Sequence, residues 1–321
     1  MADDKVKKIA EEALNRLSAA LEAGHSERLR EYLAVMGRFH RYSWGNVLLI
    51  HSQRPDASRV AGFHAWHDLG RCVKKGEKGI TIFAPVLVKH KEAAVAGQET
   101  SKPDEPFRLA GFRTAYVFDV SQTEGRPLPE FAKTTGDTKE YGEKLKALVA
   151  KQGISVEYDG SIAPAQGMSS GGRIRLMPGM APAEEFSVLA HELAHEMLHH
   201  RQEATPLPKV VRETQAEAVA FVVCRGVGLE TNTAAADYIA LYNGDKKTLA
   251  DSLAVIQQTS AKILDEILPE ERPRPQSSQD HASAHRPAPP RTEDSHHPQG
   301  AQPGPDQPRP SESPEPVTWD R

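Results

Sequence analysis

The sequence predicts an α+β chain of two domains followed by a disordered tail, and three observations carry that reading. Helix-period and strand-type segments alternate in both halves of the first 268 residues. Between the halves, Pro127, Pro129 and a TTGDT run at 134–138 form a boundary rich in chain breakers. From residue 269 onward the composition changes: 13 of the 24 prolines fall there, with no Leu, Ile, Phe or Met. Such a segment cannot bury enough apolar surface to offset its ordering entropy. The expected parts are an α+β domain at 1–130, a mostly helical domain with a small sheet at 131–268, and a disordered proline-rich tail at 269–321.

The elements follow in order. Val6, Ile9, Ala10, Leu14 and Leu17, then Leu29, Leu33, Ala34 and Met36, recur at helical spacing and predict two helices over 5–38, with Gly24 near their junction. A short apolar run at 46–51 precedes the turn-forming RPDAS. The stretch CVKKGEKGITIFAPVLVKHK is β-rich and punctuated by glycine, which predicts a hairpin turning at 75–79. Residues 92–106 read as a loop, and FRTAYVFDV at 112–120 as a further strand. In the second half, 139–151 reads as a helix, and ISVEY at 154–158 and GRIRLM at 172–177 read as strands. A long helix starts near Pro182, with proline in the first turn and Glu184 and Glu185 favouring its dipole. A helix from about 209 to 225 and closing helices at 237–241 and 248–267 complete the chain.

Several classes are excluded early. No stretch approaches the roughly 20 apolar residues needed to cross a bilayer, and the charged amphipathic start lacks a signal-peptide apolar core, which points to a cytoplasmic protein without a membrane partner. Cys72 and Cys224 are too few for a disulfide framework and read as reduced packing residues. The net charge of −4 hides an asymmetry: residues 26–91 hold 12 Lys and Arg against 5 Asp and Glu, while 128–268 hold 14 against 19. The basic half suits a polyanionic partner.

The chemistry concentrates in HELAH at 191–195. Helical pitch puts His191 and His195 on one face a turn apart, where two imidazoles can reach one divalent ion and leave room for a third ligand and a water. Glu192 stands about 100° round the helix, placed as a general base for that water. His199 lies about 12 Å along the axis from His191, too far to share the ion, and both His199 and His200 read as cations at the helix's polar end. Glu213 and Glu217 share a face of the following helix. Glu213 is the expected third ligand and Glu217 the residue that orients a ligand histidine, although the two roles could be exchanged. The donor set favours zinc, and manganese can take the same ligands.

HELAH followed by ETQAE and preceded by RIRLMPGM resembles the ImmA/IrrE-type metallopeptidase domain found in ArdC-like antirestriction proteins. YSWGNVLLI at 42–50, FHAWHDLGRCVKKGEKGITIFAPV at 63–86 and FDVSQTEG at 118–125 are similar, in order and spacing, to the amino-terminal single-stranded-DNA-binding domain of that family. His199 and His200 depart from its pattern. The resemblance implies a zincin-like hydrolase fused to a module for single-stranded DNA, acting on a protein or peptide in the biology of mobile DNA. On that reading Arg71, Lys74, Lys75 and Lys78 would follow phosphates, Tyr42, Trp44 and Trp66 would offer stacking faces, and Asn46 would contact a base or hold a loop. Two other functions fit the same sequence: a non-catalytic DNA-coating protein with a structural metal, and a regulatory protease that cleaves a repressor.

Overall fold

The computed structural model describes residues 2–89, 107–127, 138–200, 207–230, 241–242 and 245–268. The chain divides into two units, 1–279 and 280–321, and the second lies outside the described residues, as do the expected tail, the 92–106 loop, most of the interdomain boundary and all but the last residue of the expected 237–241 helix. The described chain is α+β.

The amino-terminal helices form as the apolar spacing predicts. In α1 (Ala2–Glu22), Val6, Ala13, Leu17 and Leu21 are buried. Gly24, at φ +81°, turns the chain into α2 (Ser26–Arg38). The apolar run after Ser43 becomes α3 (Trp44–Gln53), with the Ser43 hydroxyl accepting from the Asn46 backbone N–H as N-cap. Then come β1 (Val60–Gly62), α4 (Phe63–Asp68), β2 (Arg71–Val73), β3 (Ile80–Lys89), β4 (Phe107–Asp119) and β5 (Thr123–Gly125).

The hairpin expected at 75–79 does not form. β3 pairs antiparallel with β4, β4 with β1, and β2 with β5, so the strands flanking 75–79 lie in different sheets. The intervening loop wraps the buried side chain of Gln122, whose amide donates to the Lys78 carbonyl and to Glu77, while the Lys74 N–H donates to the Gln122 carbonyl. A buried amide that needs partners, rather than a tight turn, shapes this loop. The edge of β3 is closed in the same way. Asn46 donates to the Phe83 carbonyl and accepts from its N–H, and Gln53 does the same at Thr81, so two side chains of α3 stand in for a neighbouring strand.

In the second half, α5 (Thr138–Lys151) leads to β6 (Ser155–Tyr158), β7 (Gly167–Ser169) and β8 (Arg173–Leu176), ordered β6-β8-β7 with β7 antiparallel at an edge. Two helices follow, α6 (Pro182–Leu198) and α7 (Lys209–Gly226), and α8 (Lys246–Ile267) closes the chain. α7 packs against α2, α6 and α8, and is buried almost continuously from Thr214 to Cys224. Its crossing with α2 is close: a Cβ at Gly37 would lie 2.7 Å from the Val222 carbonyl oxygen and 3.0 Å from the Gly226 nitrogen. Arg41 adds an ion pair to Asp265 at 2.9 Å, and one buried apolar cluster runs through both halves. Cys224 lies in that cluster, its thiol pushed up to about 12 by burial, whereas Cys72 is exposed and not a packing residue. No described helix is long and apolar enough to cross a membrane.

Candidate metal centre

α6 begins as its sequence dictates, with Pro182 in the first turn and Glu184 and Glu185 behind it. Its pitch aligns His191 and His195, and α7 brings Glu213 across from the neighbouring helix. The two histidine Nε2 atoms are 3.1 Å apart, and Glu213 Oε2 lies 3.3 Å from His195 Nε2 and 3.6 Å from His191 Nε2. Ligands about 2.1 Å from a tetrahedral ion stand about 3.4 Å apart, so these three atoms match one face of such a site. Among the described residues they are the one His/Cys/Asp/Glu group of three close enough to share an ion.

The second ring nitrogens have partners too. His191 Nδ1 is 3.4 Å from Glu217 Oε2. His195 Nδ1 is 3.0 Å from His199 Nδ1, and His199 Nε2 is 3.2 Å from Gln215 Oε1. With both ligand Nε2 atoms kept free of protons for a cation, only one assignment works along this chain: His195 donates to His199, and His199 donates to Gln215. His199 is therefore a neutral inward-facing partner of His195, which corrects its reading as a cation at the helix end. Burial, its first cause, lowers its pKa, with Arg212 and His200 adding to the effect against the Gln215 hydrogen bond. His195 is pulled down to about 4 by burial and by His191, against the pull of Glu213, so its imidazole is neutral near pH 7. His191 is raised: burial works against its charge, but the hydrogen bond to Glu217 and the charges of Glu192, Glu217 and Glu213 outweigh it.

Glu192 is 7% exposed and faces β7. Burial raises its pKa, with His191 and hydrogen bonds from Ser169 pulling the other way. A side chain opposite it would displace Glu192 or Val188, since a Cβ at Gly167 would come within 2.7 Å of Glu192 Oε1 and 2.6 Å of Val188 Cγ1. β7 is held there by Glu196, whose buried carboxylate accepts from the N–H groups of Ser170, Gly171 and Gly172 at 3.1, 2.8 and 2.8 Å. Gly167, His191, Glu192, Glu213 and Glu217 all line one cleft of about 670 Å³. Sequence reasoning missed Gly167, Glu196, Gln215 and the role of His199. The available signal was the i, i+4 continuation from His191 through His195 to His199.

The nominated DNA contacts divide differently. Trp66 is fully buried, its indole N–H donating to the Phe118 carbonyl at 2.9 Å, so it is a core residue and not a stacking face. Tyr42 and Trp44 pack partly buried against the main cluster, and burial pushes the Tyr42 hydroxyl up to about 12. Asn46 spends its amide on β3, which makes it a holder of structure and not a base contact. Arg71 is committed to Thr123 and the Arg126 carbonyl, and Lys74 Nζ to the Ser121 carbonyl at 3.0 Å. Lys75 and Lys78 are exposed.

Residues 7–118, spanning α1 to nearly the end of β4, match the model of the N-terminal domain of anti-restriction factor ArdC. An uncharacterised protein of Bacillus anthracis is 26% identical over 285 residues, covering 75% of this chain and 48% of its own length, so the chain spans about half of that curated relative. Two crystal structures of the antirestriction ArdC protein from plasmid R388 each cover 81% of this chain and 97% of their own. The metal-free form aligns at 18% identity with a TM-score of 0.49, and the Mn(II)-bound form at 19% with 0.48.

Proposed function

We propose that this ArdC-like protein is a metal-dependent peptidase joined to a module for single-stranded DNA, and that it serves antirestriction. The observation that carries the hydrolytic part is the convergence of His191, His195 and Glu213, at tetrahedral separations, beside a buried carboxylate in one cleft. These three residues would hold the ion, zinc by preference and manganese by the same donors. Once bound, a divalent ion polarises a carbonyl and acidifies a water.

This chain's residues supply the rest. Glu192 is placed to take a proton from a water in the cleft and return it to the leaving amine. Burial raises its pKa, the direction that makes a carboxylate a better proton acceptor. Glu217 and His199 hold the ligand rings in one tautomer. β7 lines the cleft and is paired only with β8 among the described strands, so an extended peptide can add its backbone to that edge. This supports a peptide as substrate.

The test combines metal analysis of the purified protein with Glu192→Gln. The expected result is one zinc or manganese per chain in both proteins and a loss of peptide cleavage of at least about 100-fold in the variant. Protection from restriction that survives in Glu192→Gln with metal content unchanged would favour DNA coating over proteolysis as the physiological activity. A wild-type protein without metal would remove the hydrolase reading altogether.

A further inference from the structure

Alternation along β4 sorts its side chains between two faces of the sheet. Ala115 and Val117, opposite Ile82 and Ile80 of β3, face the core, where α1 and α3 pack. Phe112, Thr114 and Tyr116, opposite Pro85, Phe83 and Thr81, occupy the other face. That face is aromatic and open: Phe112 is 62% exposed and Tyr116 57%. Phe63, 54% exposed at the start of α4, extends the row through an edge contact with Phe118, ring centroids 6.5 Å apart.

The surroundings are cationic. The single acid of β4, Asp119, is buried and accepts from Ser58, Arg59 and Ser121. The loop bearing Lys74, Lys75 and Lys78 ends against the rings. At Gly79 a Cβ would lie 2.9 Å from Tyr116 Cβ and 3.2 Å from Phe118 Cζ. Glu77, the acid in that loop, accepts from Gln122.

Flat open rings bordered by lysines match single-stranded DNA, whose unpaired bases stack without regard to sequence while cations follow the phosphates. The geometry points to this sheet face as the surface on which bases stack, through Phe63, Phe112 and Tyr116, with Lys75 and Lys78 taking phosphates. Tyr42, Trp44 and Trp66 are then packing residues. The inference rests on the single-stranded-DNA reading above and adds the surface that reading lacked.

The experiment titrates the full chain with a labelled oligo(dT) and with an abasic oligomer of equal phosphate number. The expected result is that Phe112→Ala with Tyr116→Ala weakens oligo(dT) binding by about 10-fold or more. Abasic binding, melting temperature and metal content stay as in the wild type. Lys75→Ala with Lys78→Ala should flatten the salt dependence by about 0.7 for each phosphate the two lysines neutralise. Equal oligo(dT) affinity in the aromatic variant overturns the inference and leaves the DNA reading standing, whereas no binding by the wild type removes both. A variant that loses thermal stability or changes oligomeric state shows the face covered by this chain or a second copy, which also overturns it. As a readout independent of variants, a 5-iodouracil oligomer should crosslink the wild type at Phe63, Phe112 or Tyr116; crosslinks confined elsewhere refute the assignment.

Discussion

The α6–α7 pair and the amino-terminal sheet break the usual burial rule in opposite directions. Between α6 and α7, polar groups are inside: Glu192, Glu196 and Gln215 are buried and His195 nearly so, each with a hydrogen-bonding partner. On the sheet and the adjoining start of α4, large apolar rings are outside, with Phe112, Tyr116 and Phe63 all more than half exposed. Buried polar groups cost free energy unless paired, and exposed aromatics forgo the stabilisation of burial. The two regions differ in kind: one holds a few polar atoms in fixed positions, the other leaves aromatic rings open.

Removing a ligand should separate the regions most sharply. In His195→Ala the metal content is expected to fall to near zero while oligo(dT) affinity stays within about twofold, because additivity holds for distant sites; elemental analysis and a binding titration check both. A parallel fall in DNA affinity would show the regions to be one site. Gly37→Val attacks their junction. Its side chain would meet the Val222 carbonyl and Gly226 nitrogen, backbone atoms that cannot swing aside, so overpacking should cost about 3 kcal/mol in denaturant unfolding and depress both activities together.

Asp119→Asn tests the sheet alone. The Asp119 carboxylate is held below its ordinary pKa: burial opposes the shift, but hydrogen bonds from Ser121, Arg59 and Ser58 override it. Its folded value lies below its unfolded one, so it adds stability above about pH 4 that is lost as pH falls through the folded value. The Asn variant should lose roughly 2 kcal/mol near neutrality and show a shallower acid limb in pH-dependent melting. Smallest of the four, His199→Ala should weaken metal retention by about 10-fold in chelator competition, through a freer His195 ring, with the melting temperature of the metal-loaded protein little changed.

How legible each region was follows from range. HELAH needs only helical pitch to bring two rings together, so His191, Glu192 and His195 could be named from five letters. Glu213 and Glu217 required a guess that the next helix packs alongside, and α7 does lie against α6. β7 was hidden because Gly167, Met168 and Ser169 have little strand propensity of their own; Glu196 holds that segment from 24 to 26 residues away. The 75–79 turn looked like a hairpin because adjacent strands commonly pair, yet β2 finds β5 some fifty residues on and Gln122 fills the loop between.

Aromatic residues expose the same divide. A tryptophan and a tyrosine read alike as stacking faces in a sequence, and only packing assigns Trp66 to the core and Tyr116 to the surface. Residue types alone account for α1, α2 and α5 to α8, for the change of composition at residue 269 and for the two-histidine motif, because these depend on contacts within a turn or two. Tertiary structure alone decided which strands pair, which rings face water, and that His199 backs the His195 ring. Those outcomes depend on partners distant in sequence, whose approach no local pattern records.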